Sequence, residues 1–387
     1  MAQMMKLEDC ATIIAGQSPK SEYYNTDGNG LPFFQGKADF GELYPQIRVY
    51  CSEPIRIAEK DDILLSVRAP VGPTNLAPTK VCIGRGLSAI RPNKEIERKY
   101  LLLYFRYFEA QLSSKGTGTT FKAITQRTIR NLEIPVLPLE KQQRIVSRIE
   151  DLFSELDKGV ETLQTIKEQL AVYRQAVLKE ALNGIKGQPY TVKDVCKEIK
   201  VGIVIKPSQY YTDEQVGIKA FRSANVREFH VEDKNWAYLS IAGHQANARS
   251  IVHTGDILIV RSGYPGTACV VPEQFNGCNA IDILIAVPNR DLVLPEFLCA
   301  YTNSPLGKKF VNEKKRGVGQ KHFNVSGYSK MLISVPSLDK QEEIVKKIAS
   351  RLSVCDSIEQ TVDTALAQAE AMRQSILKKA FEGELCK

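Results

Sequence analysis

The chain lacks the motifs that usually mark a catalytic centre. It contains no Pro-Pro pair, which excludes the Asn/Asp-Pro-Pro-Tyr/Phe motif of amino-methyltransferases, and no GxxxxGK(S/T) phosphate loop. GxSxG and HExxH are also absent. There are four scattered histidines, and the nine cysteines form no Cys-x-x-Cys pair, so we expect reduced, mostly buried thiols rather than a zinc site. The sequence therefore predicts a protein without a catalytic centre or a metal site.

Long apolar runs are missing as well. No run of 18 apolar residues occurs, and the first residues, MAQMMKLEDC, lack a basic region followed by an apolar one. We therefore expect neither a membrane span nor a secretory signal, and a cytoplasmic location.

The positive charge is unevenly distributed. The 387 residues carry a net charge of +8 at pH 7, and residues 1–138 and 187–338 hold the whole excess, +4 and +5 respectively. The remaining stretches are neutral or slightly acidic. Two basic segments beside neutral ones favour a nucleic-acid partner more than a uniform excess would.

One segment of the chain occurs twice. Residues 134–184 align with residues 333–383 without a gap and with 19 identities in 51 positions. Both copies contain Lys-Gln followed by Ile-Val, and both end in Leu-Lys-x-Ala-x-x-Gly, where the glycine is a natural helix stop. The chain therefore contains an internal repeat.

Weaker matches precede each copy of the repeat. The segments DDILLSVRAPVG and GDILIVRSGYPG correspond, as do LPFFQGKADF and IKAFRSANVR, and KGTGTTFKAIT and RGVGQKHFNVS. An apolar run that ends in a Pro/Gly turn predicts a buried strand followed by a loop. With one amphipathic helix predicted near residues 97–113, we expect each copy to be an α/β unit around a twisted sheet.

The repeated segments themselves predict two long helices. Apolar residues recur at steps of three and four from Ile145 to Val177 and from Ile344 to Ile376, and proline is absent from 139–188 and from 337 onward. An exposed apolar stripe needs cover, and the other copy is the obvious cover. Because a second unit lies between the helices in the chain, we predict an antiparallel pair. A purely structural coiled coil is the competing class, but it would have low-complexity ends instead of large basic ones.

These motifs together resemble the specificity subunits of type I restriction-modification systems. The resemblance rests on the duplicated Gln-x-x-Ile-Val helix start, which follows Pro138 in the first copy and Ser337 in the second, the Asp-Ile-Leu strand in each half, the Gly-rich segment before each helix and the shared helix end. It implies two tandem α/β (α+β) target recognition domains separated by two long antiparallel helices that form a coiled-coil-like spacer. The predicted divisions are 1–136 and 187–335 for the recognition domains, and 137–186 and 336–387 for the spacer helices.

The resemblance also implies a function and partners. Each recognition domain would read one half of a bipartite, asymmetric site in double-stranded DNA, and the helices would set the spacing. Two methyltransferase subunits, which use S-adenosylmethionine, and restriction/translocase subunits, which use ATP and Mg, would supply the chemistry, so this chain is expected to be non-catalytic and to hold no cofactor. The alternative is the specificity subunit of a related system whose methyltransferase and nuclease are fused.

Candidate DNA contacts are polar residues in loops after strands or in Gly-rich segments that recur in both halves. In the first half they are Gln35, Lys37, Arg68, Lys115, Thr117, Thr119, Thr120 and Lys122, and in the second half Arg222, Asn225, Arg227, Arg261, Tyr264, Gln320, Lys321 and His322. Arg68 and Arg261 could instead pair with their near neighbours Asp62 and Asp256.

The repeated helix start offers a second candidate surface. Lys141 and Gln142 in the first copy correspond to Lys340 and Gln341 in the second. They could recur because one kind of methyltransferase subunit docks at both, or simply because both segments begin a helix.

Overall fold

The chain divides into two compact units, which are described separately. In the computed structural model the described residues are 3–116, 123–315 and 323–385, without the side chains of residues 314 and 315. Unit 1 comprises Met1–Leu163 and Thr364–Lys387, and unit 2 comprises Gln164–Asp363. The dividing points lie within the two long helices, so both helices contribute to both units. The four segments defined by the repeat stay a prediction.

Unit 1 contains the first eleven strands. They are β1 (Gln3–Lys6), β2 (Ala11–Ala15), β3 (Tyr24–Asn25), β4 (Leu31–Phe34), β5 (Tyr50–Cys51), β6 (Ile57–Ala58), β7 (Ile63–Ser66), β8 (Thr74–Leu76), β9 (Val81–Ile83), β10 (Leu87–Pro92) and β11 (Glu133–Val136). The short helices are α1 (Leu7–Cys10), α2 (Arg98–Ser114) and α3 (Gln126–Arg130), and α4 (Leu139–Leu182) begins in this unit. The amphipathic helix predicted near 97–113 is thus confirmed as α2.

The core of unit 1 lies between its main sheet and α2. The sheet has the order β2-β10-β7-β8 and is antiparallel throughout, and all four residues of β7 are buried. Helix α2 buries an apolar face that includes Tyr100 and Phe105, and the ring of Phe381 packs on Tyr100. A five-stranded sheet, β3-β5-β4-β9-β6, lies beside the main one, and β1 pairs with β11.

Unit 2 repeats this plan with nine strands. They are β12 (Gln188–Thr191), β13 (Cys196–Val201), β14 (Ile218–Phe221), β15 (Ala237–Leu239), β16 (Ile257–Val260), β17 (Ala268–Val270), β18 (Asn279–Ala280), β19 (Ile283–Pro288) and β20 (Leu332–Val335). Its helices are α5 (Val192–Val195), α6 (Ile241–Ala246), α7 (Pro295–Asn303), α8 (Pro305–Lys315) and α9 (Val325–Ser329), followed by the long α10 (Leu338–Phe381).

The sheets of unit 2 match those of unit 1 strand for strand at the centre. The order β13-β19-β16-β17 corresponds to β2-β10-β7-β8, and β12 pairs with β20 as β1 pairs with β11. Among the strands that the structure describes, parallel pairing is limited to β4 with β9 and β14 with β18. The mixed helix and sheet units predicted from the sequence are therefore confirmed, and their sheets are mainly antiparallel.

The two 44-residue helices, α4 and α10, run antiparallel within each unit. In unit 2, Lys167 contacts Asp363 at 2.7 Å, whereas Glu180, further along α4, contacts the earlier Arg351 at 2.6 Å. In unit 1, Arg373 pairs with Asp157. Each unit takes the start of one long helix and the end of the other into its core: Ile149 with Leu377 in unit 1, and Leu178 with Ile348 in unit 2. The antiparallel helix pair predicted from the repeat is confirmed.

The structure also bears on the expected absence of a membrane span. Within residues 3–116, 123–315 and 323–385, no helix combines the length and the apolar character needed to cross a membrane.

Candidate nucleic-acid interface

Two of the predicted contact residues of unit 1, Gln35 and Arg68, lie where strands β4, β7 and β9 end. Gln35 directly follows β4, and Arg68 lies two residues after the end of β7. The three-residue connection Gly84–Arg85–Gly86 joins β9 to β10 and lies between the segments that follow β4 and β7. The amide of Gly86 donates to the carbonyl of Gln35 at 3.1 Å, and the amide of Val67 donates to the carbonyl of Gly86 at 2.9 Å. Gln35, Arg68 and Arg85 are all exposed at this edge.

A small hydrogen-bond network orders this edge. The hydroxyl of Ser18 donates to Oε1 of Gln35 at 3.0 Å, while Nε2 of Gln35 lies 2.9 Å from the same hydroxyl. The backbone amide of Arg85 donates to that hydroxyl at 3.2 Å. Ser18 therefore links the Gln35 side chain to the backbone that carries Arg85.

The two glycines beside Arg85 allow a close approach. A Cβ at Gly86 would lie 2.4 Å from the carbonyl oxygen of Gln35, and a Cβ at Gly84 would lie 2.5 Å from its side-chain oxygen. Such distances are too short for any other residue type without movement of the backbone or of Gln35. The Gly-x-Gly spacing thus lets the connection lie flat against the end of β4.

Unit 2 has the same strand arrangement at this edge, but its connection is one residue shorter and carries different side chains. The connection between β18 and β19 is only two residues, Ile281–Asp282, and the amide of Ile281 donates to Phe221 as that of Gly84 does to Phe34, each at 2.8 Å. Val260 pairs with Ile283 in unit 2 as Ser66 pairs with Leu87 in unit 1. Arg261, which follows Val260, is therefore the structural counterpart of Val67 and not of Arg68.

Arg261 is accordingly held inside unit 2. Its side chain is 14% exposed, its Nη1 contacts Oδ1 of Asp282 at 2.6 Å, and its Nε donates to the carbonyl of Phe323 at 3.2 Å. Arg68, by contrast, is exposed and forms no ion pair within the described residues. Two arginines that the sequence suggested as equivalents therefore have different environments.

Neither arginine pairs with the acid that precedes it in the sequence. Asp62 accepts two hydrogen bonds from Arg91, both at 2.8 Å. Asp256, which is also buried, accepts from the backbone amide of His253 at 2.8 Å, and its burial raises the pKa of the carboxyl above its usual value. The alternative pairing considered for Arg68 and Arg261 is therefore wrong.

Two other candidates in unit 1 lie apart from Arg85. Lys115 ends α2 and lies over the ring of Phe108, 5.3 Å from its centroid. Lys37 lines a cleft of about 830 Å³ together with Arg106 and Glu109. Burial raises the pKa of Glu109, and the positive charge of Lys37 opposes that shift. Thr117, Thr119, Thr120 and Lys122 lie outside the described residues.

The remaining candidates in unit 2 divide into buried and exposed side chains. Asn225 is fully buried, and its amide accepts from the backbone of Arg222 and donates to the carbonyls of Glu232 and Lys234, so it is occupied within its own loop. The Arg222 side chain donates to the carbonyl of Asn235. Arg227 is exposed, and Tyr264 is 85% exposed. Gln320, Lys321 and His322 lie outside the described residues.

The repeated glutamines of the helix starts are buried tethers. Gln142 accepts from the amide of Glu97 at 2.8 Å and donates to the carbonyls of Glu95 and Leu137 at 2.8 and 2.7 Å. The repetition of these side chains therefore has an explanation within the chain, and it favours the helix-start interpretation of the repeated glutamines.

Gln341 repeats these bonds in unit 2. It accepts from Leu294 at 2.8 Å and donates to Leu292 and Pro336, both at 2.9 Å. Both glutamine side chains are fully buried, whereas Lys141 and Lys340 are exposed. Only the lysines offer surface to a partner.

No metal centre is formed by the side chains that the structure describes, since no group of three or more His, Cys, Asp or Glu residues is placed to hold an ion. The eight described cysteines are free thiols, and all but Cys196 are buried. Burial raises the pKa of the Cys82 thiol to about 11 and that of the Cys269 thiol to about 12, so these groups stay protonated and unreactive at neutral pH.

The fold and this edge define a class: a duplicated protein of two α+β units, each closed by the ends of two long helices, with polar side chains at corresponding strand ends that are exposed in unit 1 and half-buried in unit 2. A family described as "Type I restriction modification DNA specificity domain" matches residues 2–170 and 185–368. The chain belongs to this family, and its class is that of specificity subunits and not of enzymes.

Two relatives in sequence agree with this membership. The chain is 41% identical over 173 residues to a Methanocaldococcus jannaschii protein that carries the name of the type I restriction enzyme MjaX specificity subunit, covering 44% of this chain and 40% of that protein. It is 26% identical over 331 residues to the type I restriction enzyme EcoKI specificity subunit of Escherichia coli, covering 80% of this chain and 70% of the relative. The crystal structure of the HsdS subunit from Thermoanaerobacter tengcongensis is 48% identical over 40% of this chain and 37% of that one, with a TM-score of 0.37.

Proposed function

We propose that the chain reads a bipartite, asymmetric site in double-stranded DNA, with unit 1 and unit 2 each contacting one half. The observation that carries this proposal is the duplicated strand edge: the same backbone arrangement occurs twice but displays different side chains, Gln35 and Arg85 in one unit and Arg222 and Asp282 in the other. Two similar scaffolds with different side chains are suited to two different half-sites.

The long helices supply the second part of the proposal. Each has 44 residues and is therefore about 66 Å long at 1.5 Å per residue. A helix of this length, braced by ion pairs such as Arg174 with Asp356 at 2.7 Å, is a stiff element that can fix a distance along DNA. We infer that α4 and α10 set the number of unread base pairs between the half-sites.

The catalytic steps belong to partners in this proposal. Two methyltransferase subunits that bind S-adenosylmethionine would dock on the chain, with the exposed Lys141 and Lys340 as candidate contacts, and restriction/translocase subunits would use ATP and Mg. The buried Gln142 and Gln341 would act indirectly, by fixing the angle at which each helix leaves its unit.

The test is to map methylated adenines in a genome exposed to the chain and its methyltransferase partner. We expect one motif with two specified parts separated by unspecified bases. A single continuous motif would contradict the proposal that each unit contacts a separate half-site.

The helices can be tested in the same assay. Deleting residues 167–173 together with 357–363 removes about two turns from each helix and takes out Lys167 along with its partner Asp363. The unspecified gap should become shorter by about three base pairs, because two turns span about 10.5 Å, while both half-sites stay the same. Changed half-sites with an unchanged gap would show that the helices do not set the spacing.

A further inference from the structure

The connection Gly84–Arg85–Gly86 presents the side chain of Arg85, whose positive charge is unpaired among the described residues. Arg85 is exposed, and within the described residues its guanidinium forms no hydrogen bond or ion pair. The same holds for the guanidinium of Arg68, whose chain neighbour Val67 is hydrogen-bonded to Gly86. Two unpaired arginines are thus brought to one strand edge beside the amide of Gln35.

The backbone under Arg85 is unusually well fixed for a surface loop. The amides of all three residues of the connection are satisfied: Gly84 donates to Phe34, Arg85 to the Ser18 hydroxyl and Gly86 to Gln35. The close approach at both glycines leaves no room for the loop to move toward β4. A DNA-contacting loop whose backbone is already ordered loses little conformational entropy when its side chain binds.

The corresponding place in unit 2 carries a neutral ion pair instead of unpaired cations. Asp282 occupies the connection there and neutralises Arg261, whose side chain is turned inward. The edge of unit 1 therefore carries two unpaired positive charges, whereas the same edge of unit 2 carries an internal ion pair.

We propose that Arg85 is a specificity-determining DNA contact of unit 1, acting with Arg68 and Gln35 at this edge, and that unit 2 has no equivalent contact because Asp282 stands in its place. The inference rests on the proposed function. Arginine donates hydrogen bonds to phosphate oxygens and to the O6 and N7 atoms of guanine, and the glutamine amide hydrogen-bonds the N6 and N7 atoms of adenine. These three side chains can therefore hydrogen-bond both the backbone and the bases of duplex DNA.

The experiment measures the affinity of the full chain for a fluorescently labelled duplex of mixed sequence as KCl is raised from about 50 to about 200 mM. The variants are Arg85→Ala, Arg85→Lys and the control Lys94→Ala. Lys94 is also an exposed cation in unit 1, but it lies beyond the other end of β10, a strand of 6 residues that is about 20 Å long.

Arg85→Ala should weaken binding and reduce the slope of log affinity against log salt by about 0.9, the value for one lost phosphate contact. Arg85→Lys should keep the slope, because a lysine replaces the charge, and should relax base preference in one half-site of the methylated-adenine map, because a lysine lacks the two-pronged geometry. Lys94→Ala should match the wild type. If wild type binds with a steep salt dependence and Arg85→Ala behaves like Lys94→Ala, the inference is overturned while the proposed function stands. If the wild-type chain binds no duplex even at the lowest salt, both are overturned.

Discussion

The two units share a backbone and differ in the charges attached to it. At the edge where β9 meets β10, unit 1 has an exposed arginine flanked by glycines, whereas unit 2 has Asp282 bound to Arg261. The strand pairings that create the two edges are the same. If this edge reads DNA as proposed, the duplicated scaffold fixes where the reading surface lies, and the loop residues decide what the surface recognises.

The helix starts make the opposite comparison, because there the two units share all three hydrogen bonds of a buried glutamine. Gln142 and Gln341 each join the start of a long helix to the turn before α2 or α7, through one accepted and two donated bonds. Architecture is therefore repeated where it positions a helix and varied where it faces outward.

The largest expected effect tests this shared tether. Gln341→Leu should lower the free energy of unfolding of unit 2 by about 2 to 3 kcal/mol, because it leaves the partly buried amide of Leu294 and two carbonyls without partners. Fluorescence of the single tryptophan, Trp236, reports on unit 2 during urea unfolding. Lys340→Ala is the control, and a change within about 0.5 kcal/mol is expected. Equal effects of the two substitutions would show that the glutamine is not a tether.

Much of the architecture could be predicted because it rests on repeated patterns. The apolar spacing from Ile145 onward predicted α4, and chain order predicted its antiparallel partner. The burial of Gln142 could not be predicted, since a glutamine near a helix start is ordinarily a surface residue and its partners at Glu95 and Glu97 lie more than 40 residues away in sequence.

The candidate site was only partly predictable for a similar reason. The gapless match of DDILLSVRAPVG and GDILIVRSGYPG aligns Arg261 with Val67, whereas residue type alone pairs it with Arg68. The strand register shows that the alignment is right and that the two arginines point in different directions. Arg85 was missed because its loop has one more residue than its counterpart in unit 2, although the Gly-x-Gly pattern around it was a signal of close backbone approach.

A smaller effect is expected from the arginines that differ between the units. Arg261→Ala should destabilise unit 2 by about 1 to 2 kcal/mol, since it removes a largely buried partner of Asp282 and a hydrogen bond to Phe323. Arg68→Ala should change the stability of unit 1 by less than about 0.5 kcal/mol, because its side chain is exposed and unpaired among the described residues. Trp236 fluorescence measures the first and hydrogen exchange of unit 1 the second. Similar losses of stability in both units would contradict the different environments assigned to Arg261 and Arg68.

The smallest effect concerns the two buried aspartates. Asp62→Asn should cost about 1 kcal/mol because it breaks the charged pair with Arg91. Asp256→Asn should cost less than about 0.5 kcal/mol at neutral pH, because burial already disfavours the charged form of Asp256.

The sign of the pH dependence follows from the raised pKa of Asp256. The folded state binds the proton of this group more tightly than the unfolded state, so its contribution favours folding as the pH falls through that raised pKa. Asp256→Asn should remove this gain. Urea unfolding of wild type and variant at several acidic pH values, followed by Trp236 fluorescence, measures it, and parallel pH profiles would contradict the assignment.

The most direct test of the account is a genome-wide map of methylated adenines for the wild-type chain and for Arg85→Ala, each with the methyltransferase partner. We expect a two-part motif for the wild type, and for the variant a relaxed preference in one half-site, with the other half-site and the gap unchanged. A change in both half-sites, or no change in either, would contradict the claim that Arg85 reads DNA for unit 1 alone.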